Sequence, residues 1–95
     1  MAAYVIANVD VKDAALFEQY RQQVPETIAR HGGRYIVRGG QHETLEGGWT
    51  PTRLVVLEFP SIEQARRWYD SEEYRGPKAL RMKCAMTDAV LVQGA

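Results

Sequence analysis

The fold is decided by residues 53–64, RLVVLEFPSIEQ, where a strand runs directly into a capped helix. Residues 53–59 are rich in branched and aromatic side chains, which is typical of a strand. Pro60 and Ser61 end this strand, and Ser61 with Gln64 three residues later forms the capping-box pattern that begins a helix. A strand followed at once by a helix indicates a mixed α+β domain.

The N-terminal half predicts two strands with a helix between them. Residues 3–11 alternate with a period of two, which is typical of a strand. Asp13 is placed to cap a helix whose apolar residues recur every four positions as far as Ile28. Pro25 falls inside that pattern and predicts either a kink or two abutting helices. A glycine pair ends the helix, and residues 34–38 form the second strand.

The C-terminal third predicts two more helical segments and a last strand. The helix that begins after Ser61 is interrupted at Ser71, and Pro77 suits the first turn of a further helix. Residues 88–93, DAVLVQ, form the last strand. The order strand, helix, strand, strand, helix, strand predicts a ferredoxin-like α+β fold, a four-stranded antiparallel sheet with the helices on one face. Residues 1–95 would then form one ferredoxin-like α/β-barrel domain.

Composition narrows the classes of function. Twelve basic and twelve acidic side chains give a formal net charge of zero, so no global basic field attracts nucleic acid or an anionic membrane. The single cysteine, Cys84, excludes an internal disulfide and favours a reducing compartment, the cytoplasm. The apolar runs are too short to span a bilayer, and the N-terminus does not resemble a signal peptide. Phosphate loops, dinucleotide fingerprints and metal-ligand spacings do not occur, so we predict neither a cofactor nor a metal.

The strand pattern leaves one face of the sheet apolar although no helix is available to cover it. We expect Val5, Ala7 and Val9 to face the helices together with Val55, Leu57 and Phe59. The opposite face then carries apolar side chains, namely Tyr4, Ile6, Ile36, Leu54, Val56 and Leu91. Soluble monomers seldom expose so large an apolar patch. We therefore expect a homodimer in which a second copy stacks on this face across a two-fold axis.

A polar minority is expected on the same face: Asn8, Arg34, Arg38, Glu58 and Gln93. If the first and third strands run parallel, Asn8 and Glu58 lie near one end of the sheet and Arg34 approaches them. One interpretation is an Arg34–Glu58 ion pair that fixes the strand register or the dimer interface. The other is an acid/base and anchoring pair in a ligand pocket between sheet and helices. Structural ion pairs perturb carboxylates as readily as active sites do, which favours the first interpretation.

The densest aromatic cluster lies at residues 68–74, WYDSEEY. Trp68 and Tyr74 either fill the core between helix and sheet or form the wall of a small-molecule pocket. In the pocket interpretation a phenol, that of Tyr69 or Tyr74, polarises a carbonyl or hydroxyl of the ligand. The catalytic candidates are therefore Glu58 and Tyr69. Arg34 and Arg38 are candidate anion anchors, and Asn8, Trp68 and Tyr74 are further ligand-binding candidates.

A long glycine-rich connection runs from Gly39 to Pro51. Its segment 42–46, HETLE, resembles a helical zinc motif but ends in Glu, where that motif has a second His. We therefore do not predict that His42 binds a metal. His42 stays a candidate for binding a small molecule. Connections of this length in a small domain are functional or form their own hairpin. Trp49 in this connection either covers a pocket or packs on a partner subunit, and we favour the second alternative.

Several segments of the chain are shared with a known family. They are, in chain order, Gly32-Gly33-Arg34-Tyr35, Arg38-Gly39-Gly40, Leu45-Glu46-Gly47 with Trp49, Glu58-Phe59-Pro60-Ser61, residues 68–74 and Arg81. Together they closely resemble the family called domain of unknown function 1330. The resemblance implies the dimeric α/β-barrel form of the ferredoxin-like fold, similar to cofactor-free monooxygenases and muconolactone-isomerase-like proteins. It implies no established activity and supplies no catalytic residues.

Two hypotheses of function follow. The first is a cytoplasmic homodimer that binds a small organic molecule, as a cofactor-independent oxygenase or isomerase. The second is a non-catalytic homodimeric structural or interaction domain, whose polar cluster serves assembly only. A pocket of a few hundred Å³ lined by the candidate groups favours the first hypothesis, and a closely packed interface without a cavity favours the second.

Overall fold

The computed structural model describes all 95 residues and contains one four-stranded antiparallel sheet and three helices. The elements in chain order are β1 (Ala3–Val11), α1 (Ala14–Arg30), β2 (Arg34–Arg38), β3 (Leu54–Phe59), α2 (Ile62–Tyr69), α3 (Glu72–Cys84) and β4 (Ala85–Gln93). The strands lie in the order β2-β3-β1-β4 across the sheet. This order confirms the predicted ferredoxin-like α+β fold. None of the three helices has the length and apolar character needed to cross a membrane.

The helices begin where the sequence offers a side-chain oxygen to the first free backbone N–H groups. Asp13 Oδ1 accepts a hydrogen bond from Leu16 N at 3.1 Å. Ser61 Oγ and Ser71 Oγ each accept one from the backbone N–H three residues later, at 3.2 Å. The predicted caps at Asp13 and Ser61 and the predicted interruption at Ser71 are confirmed.

The structure differs from the predicted helix boundaries at the two prolines that lie inside helices. Pro25 lies within the continuous helix α1, so the alternative of two abutting helices is wrong. Val24 and Ile28 beside it are 1% and 2% exposed, and the apolar surface that they bury outweighs the loss of one backbone hydrogen bond. Pro77 lies in the interior of α3 and not in its first turn, because Ser71 already caps that helix.

The register of the sheet also differs from the sequence-based expectation. β1 and β3 run antiparallel, and the strand that runs in the same direction as β1 is β2, on the far side of β3. Tyr4 therefore pairs with Glu58, and Asn8 pairs with Leu54 at the other end of the strand. The expected proximity of Asn8 to Glu58 is wrong. Arg34 does pair with Glu58, as expected.

The core lies between the helices and the face of the sheet that carries Val9, Leu57 and Phe59. One cluster of buried side chains contains Val24, Ile28, Leu57, Phe59, Ala65, Trp68 and Tyr74. A second cluster contains Val9, Phe17, Cys84 and Ala85. The alternation that was expected to turn these strand residues toward the helices is confirmed.

Gly33 approaches Phe59 so closely that its replacement tests the packing of this core. A Cβ at position 33 would lie 2.5 Å from the ring of Phe59, a side chain with no exposed surface. We expect Gly33→Ala to lower the free energy of unfolding by about 1–3 kcal/mol, measured by urea denaturation. Gly76 in α3 has open space around it, so Gly76→Ala should raise that free energy by up to about 1 kcal/mol. Unchanged stability of Gly33→Ala would contradict the packing described here.

Candidate functional site

A cavity lies between the sheet and the helices, in the space that the core side chains do not fill. It contains about 630 Å³ free of atoms when measured to its open mouth, of which the centre of a water molecule can occupy about 60 Å³. A single water needs about 10–15 Å³ on the second measure, so the interior has room for several waters or part of a small organic molecule. Six aromatic rings form its walls, those of Phe17, Tyr20, Tyr35, Trp68, Tyr69 and Tyr74.

The floor of the cavity is made by alternate residues of the central strands. Ala7 of β1 pairs with Ala89 of β4, and both line the cavity. Two methyl groups at this point leave the volume that larger side chains would fill. At the other end of β1, Ala3 pairs with Phe59, which closes the core there. The cavity therefore lies where the helix-facing side of the sheet has small alanine side chains, and it ends where that side has the large ring of Phe59.

A buried chain of hydrogen bonds connects polar atoms on one wall. The Tyr20 and Tyr74 hydroxyl oxygens are 2.8 Å apart, and Arg81 Nε donates to the Tyr74 hydroxyl at 3.4 Å. Trp68 stacks on Tyr74 with the ring centroids 4.2 Å apart. Burial, followed by the neighbouring Tyr74, raises the pKa of Tyr20 well above its usual value. Near neutral pH Tyr20 therefore keeps its proton and does not act as a general base.

Four arginines reach the cavity, and no acidic residue lines it. Arg21 pairs with Glu18 of its own helix at 3.3 Å, whereas Arg38, Arg53 and Arg81 have no carboxylate within 4.0 Å. The Arg38 guanidinium lies 4.1 Å above the ring of Tyr35. Burial, followed by the charges of Arg21 and Arg38, lowers the pKa of Arg53. The cavity is thus apolar with an uncompensated positive charge.

The position of Arg53 depends on Gly39 and Asn8. Gly39 has a φ of +69°, and a Cβ there would overlap the Arg53 guanidinium. Asn8 Oδ1 accepts hydrogen bonds from Thr52 N at 2.9 Å and Arg53 N at 3.1 Å. Asn8 does not line the cavity; it holds the chain that brings Arg53 to it.

Four of the residues singled out from the sequence lie around this cavity: Arg38, Trp68, Tyr69 and Tyr74. Arg38 was expected on the opposite face of the sheet. A register shift between Tyr35 and Val37 makes Arg38 pair with Val55, so it lies on the helix-facing side. The role of these four residues in binding stays a prediction.

Glu58 and Arg34 lie on the face of the sheet that the helices do not cover. Arg34 Nη2 is 2.7 Å from Glu58 Oε1, and the Tyr4 hydroxyl donates to Glu58 Oε2 at 3.2 Å. The predicted ion pair exists, with the carboxylate 25% exposed. Because the sheet separates it from the cavity, this pair is not an acid/base pair between sheet and helices.

His42 and Trp49 lie in the exposed connection between β2 and β3. His42 Nε2 is 2.8 Å from the carbonyl oxygen of Pro51, and Trp49 is 61% exposed. Neither side chain lines the cavity, so the alternative in which Trp49 covers this pocket of its own chain is wrong. The alternative in which it packs on a partner stays a prediction.

The uncovered face of the sheet, here called the open face, is apolar in the structure as expected, but two of its expected members besides Arg38 lie on the other side. Leu91 pairs with Val5 and Gln93 with Ala3, so both belong to the helix-facing side. The apolar members on strands β1, β3 and β4 are Tyr4, Ile6, Leu54, Val56, Met86, Val90 and Val92. Val90 and Val92 are 61% and 45% exposed, and Ile36 and Val37 beside the register shift are also exposed.

Sequence reasoning missed several residues of the cavity. Tyr20 was recognised only as part of an apolar helical stripe, and Arg21, Tyr35, Arg53 and Thr87 were not singled out. The sequence could have identified Arg53. It precedes Val55 and Leu57 at alternate positions, and alternate residues of a strand face the same side of the sheet. No comparable signal marked Tyr35, since the neighbouring register shift interrupts the alternation.

The sequence profile of a family described as a domain of unknown function, DUF1330, matches residues 2–95. The chain belongs to the DUF1330 family. This membership confirms the resemblance seen in the separate sequence segments. No curated protein matches the sequence significantly.

Solved structures show how widely the DUF1330 fold of this chain is shared. The RPA0582 protein of unknown function from Rhodopseudomonas palustris has a TM-score of 0.79 at 15% identity, covering 99% of this chain and 82% of that one. SnoaB, a cofactor-independent oxygenase from Streptomyces nogalater, has a TM-score of 0.67 at 13% identity, covering 99% and 93%. A protein from Nitrosomonas europaea, provisionally described as an antibiotic biosynthesis monooxygenase, has a TM-score of 0.62 at 17% identity, covering 99% and 98%. At these identities the likeness concerns the fold.

The buried phenols give this DUF1330 protein a distinct alkaline titration. Burial raises the pKa of both Tyr20 and Tyr35. In the unfolded chain these phenols ionise at about pH 10, so the unfolded state releases protons that the folded state keeps. We therefore expect stability to fall as the pH rises above about 10, with phenolate absorbance appearing together with unfolding. Tyr20→Phe should reduce that late absorbance, and ionisation of all five tyrosines near pH 10 in the folded protein would contradict this.

Proposed function

We propose that the protein is a cytoplasmic homodimer that binds a small organic molecule in the aromatic cavity between sheet and helices. The observation that carries this proposal is a cavity between sheet and helices, open to solvent at its mouth, whose interior gives the centre of a water molecule about 60 Å³ and whose apolar walls carry a few polar groups. Small-molecule sites have this combination of apolar lining and few polar groups. The structural likeness to SnoaB, a cofactor-independent oxygenase, supports the same class of function.

The walls suit a reaction in which negative charge develops on an oxygen of the ligand. Tyr20, Tyr74 and Arg81 form a connected set of donors, and such groups stabilise an enolate better than a neutral carbonyl. Tyr69 lines the same space, and its hydroxyl makes no hydrogen bond within the chain, so we propose that this hydroxyl is available to a ligand. We propose that the ligand loses a proton to water at the open mouth of the cavity, and that the resulting anion either takes up a proton at another carbon, an isomerisation, or is oxidised by dioxygen as co-substrate, an oxygenation in which the dioxygen is reduced.

The open face supports the homodimer. The row Val90–Ile6–Val56–Val37 crosses all four strands, and its outer members Val90 and Val37 are 61% and 39% exposed. Removing apolar surface from water stabilises an association by roughly 25 cal/mol per Å² before the costs of assembly. A second copy of the same face offers a matching surface across a two-fold axis. In this arrangement the pair Arg34–Glu58 lies at the rim and fixes the register of the two copies.

The dimer is tested by placing one charge on the open face. Val90→Glu should convert a particle of twice the 10.8 kDa chain mass into one of the single mass, measured by light scattering at micromolar concentration. Met82→Glu is the matched control, because Met82 is also 61% exposed but lies on α3. A native protein of the single mass, or dimers that persist in Val90→Glu, would contradict the proposed interface.

Ligand binding is tested with Trp68 as the reporter. Trp49→Phe leaves Trp68, a cavity residue, as the only tryptophan. We expect benzamide and 2-naphthamide, as neutral aromatic probes, to change its fluorescence in a saturable manner. Ala7→Phe should abolish this change because the added ring fills the cavity, while Ala79→Phe on the exposed surface of α3 should not.

The outcome of this titration also distinguishes the second candidate function. The Arg34–Glu58–Tyr4 contacts on the open face favour a role in assembly whether or not the cavity is used. A native dimer whose Trp68 responds to no aromatic probe, and which carries no small molecule in native mass spectrometry after purification from its source, would favour the non-catalytic domain.

A further inference from the structure

We infer that the ligand of this cavity is an aromatic or unsaturated carboxylate, whose anionic group lies beside Arg53 at the end of the cavity near Val9. This inference rests on the proposed small-molecule function and specifies its substrate class. It depends on the charge of the cavity and on the hydrogen-bonding state of two atoms within it.

The charge of the cavity points to an anion. Four of the nine arginines of the chain line one cavity, although the whole chain has a formal net charge of zero. Arg38 and Arg53 have no carboxylate partner within 4.0 Å, while the exposed Arg30, Arg66 and Arg75 each have one. Arg38 is exposed, whereas Arg53 is partly buried, and a partly buried cation without a counter-charge is unfavourable. An anionic ligand beside Arg53 supplies the missing charge.

Two buried polar atoms in the same region have no partner. Arg53 Nε and Thr87 Oγ1 are buried and make no hydrogen bond. Both residues lie next to Val9: Thr87 is its partner across β1 and β4, and Arg53 O accepts a hydrogen bond from Val9 N at 2.9 Å. Buried donors are seldom left unpaired, and each costs free energy in that state. A carboxylate placed above Val9 can accept from both atoms.

The apolar walls around Arg53 explain why the ligand should carry an apolar group besides its carboxylate. The Arg53 guanidinium carbon is 5.5 Å from the ring centroid of Phe17, and the remaining walls are mainly aromatic and aliphatic. A phosphate or sulfate ion alone would leave these walls without contacts. A carboxylate attached to a ring or to a conjugated chain occupies both parts of the cavity.

The inference is tested with isosteric acid and amide pairs on the native dimer carrying Trp49→Phe. Benzoate and 2-naphthoate have nearly the shape of benzamide and 2-naphthamide but carry a negative charge. Each acid should bind about tenfold more tightly than its amide, because hydrogen bonds to charged groups contribute more than neutral ones. The preference should decrease as the salt concentration rises, because Arg38 and Arg21 are exposed.

Arg53→Met is the decisive variant, and Arg75→Met on the surface of α3 is its matched control. Arg53→Met should remove the preference for the acid while the amides still bind. Its melting temperature without ligand should be equal to or higher than that of the native protein, since an unpartnered partly buried cation has been removed. Arg75, 77% exposed, pairs only with Glu72, so Arg75→Met should keep the preference.

A second pair of variants tests the position of the guanidinium without removing its charge. Gly39→Ala should displace Arg53 and weaken acid binding, whereas Gly40→Ala should not, because a Cβ at position 40 meets no atom within 4 Å.

The possible outcomes separate this inference from the function on which it rests. Equal binding of acids and amides to the native protein, or a preference that survives in Arg53→Met, overturns the inference and leaves the proposed function standing. Binding of neither acids nor amides rejects both. A clear melting-temperature decrease in Arg53→Met would show that Arg53 supports the fold and would overturn its assignment to the ligand.

Discussion

The structure depends on one constraint: the sheet carries apolar side chains on both faces, and the three helices cover only one of them. On the covered face, large residues such as Phe59 close the core at one end, and the Ala7–Ala89 pair leaves the cavity. On the open face, the side chains of Val90 and Val92 are exposed, because no other part of the chain packs on them. The cavity and the expected interface are therefore consequences of the same sheet, seen from its two sides.

The arginines of the cavity are arranged in a way that is unfavourable for stability. Arg53 is held by Gly39 and Asn8 in a position where burial and two neighbouring arginines disfavour its charge. A sequence selected only for stability would place an apolar residue or a paired charge there. Arrangements that are locally unfavourable and yet held firmly by their surroundings are typical of binding sites. The neutral overall charge conceals this local excess, because the compensating carboxylates lie elsewhere on the surface.

Much of the fold was predictable because local signals agree with one another. The capping pattern after β3, the alternation in β1 and the serine at the start of α3 each indicated an element that the structure contains. The boundaries at Pro25 and Pro77 were not predictable in the same way, since tertiary burial decides whether a helix continues through a proline. The register near β2 depends on a shift between Tyr35 and Val37 that alternation alone does not reveal. The predicted site was accordingly incomplete: its aromatic wall was recognised, but Glu58 and Arg34 belong to the other face.

The claim that the open face is covered by a second copy can be tested directly through its methyl groups. In an NMR experiment with a soluble paramagnetic agent, the account predicts that the Val90 and Val92 methyl groups relax slowly, like those of the buried Leu57, which is 4% exposed. Leu45 in the exposed connection, 85% exposed, gives the reference for full access by solvent. Relaxation of Val90 and Val92 at the rate of Leu45 would contradict the account.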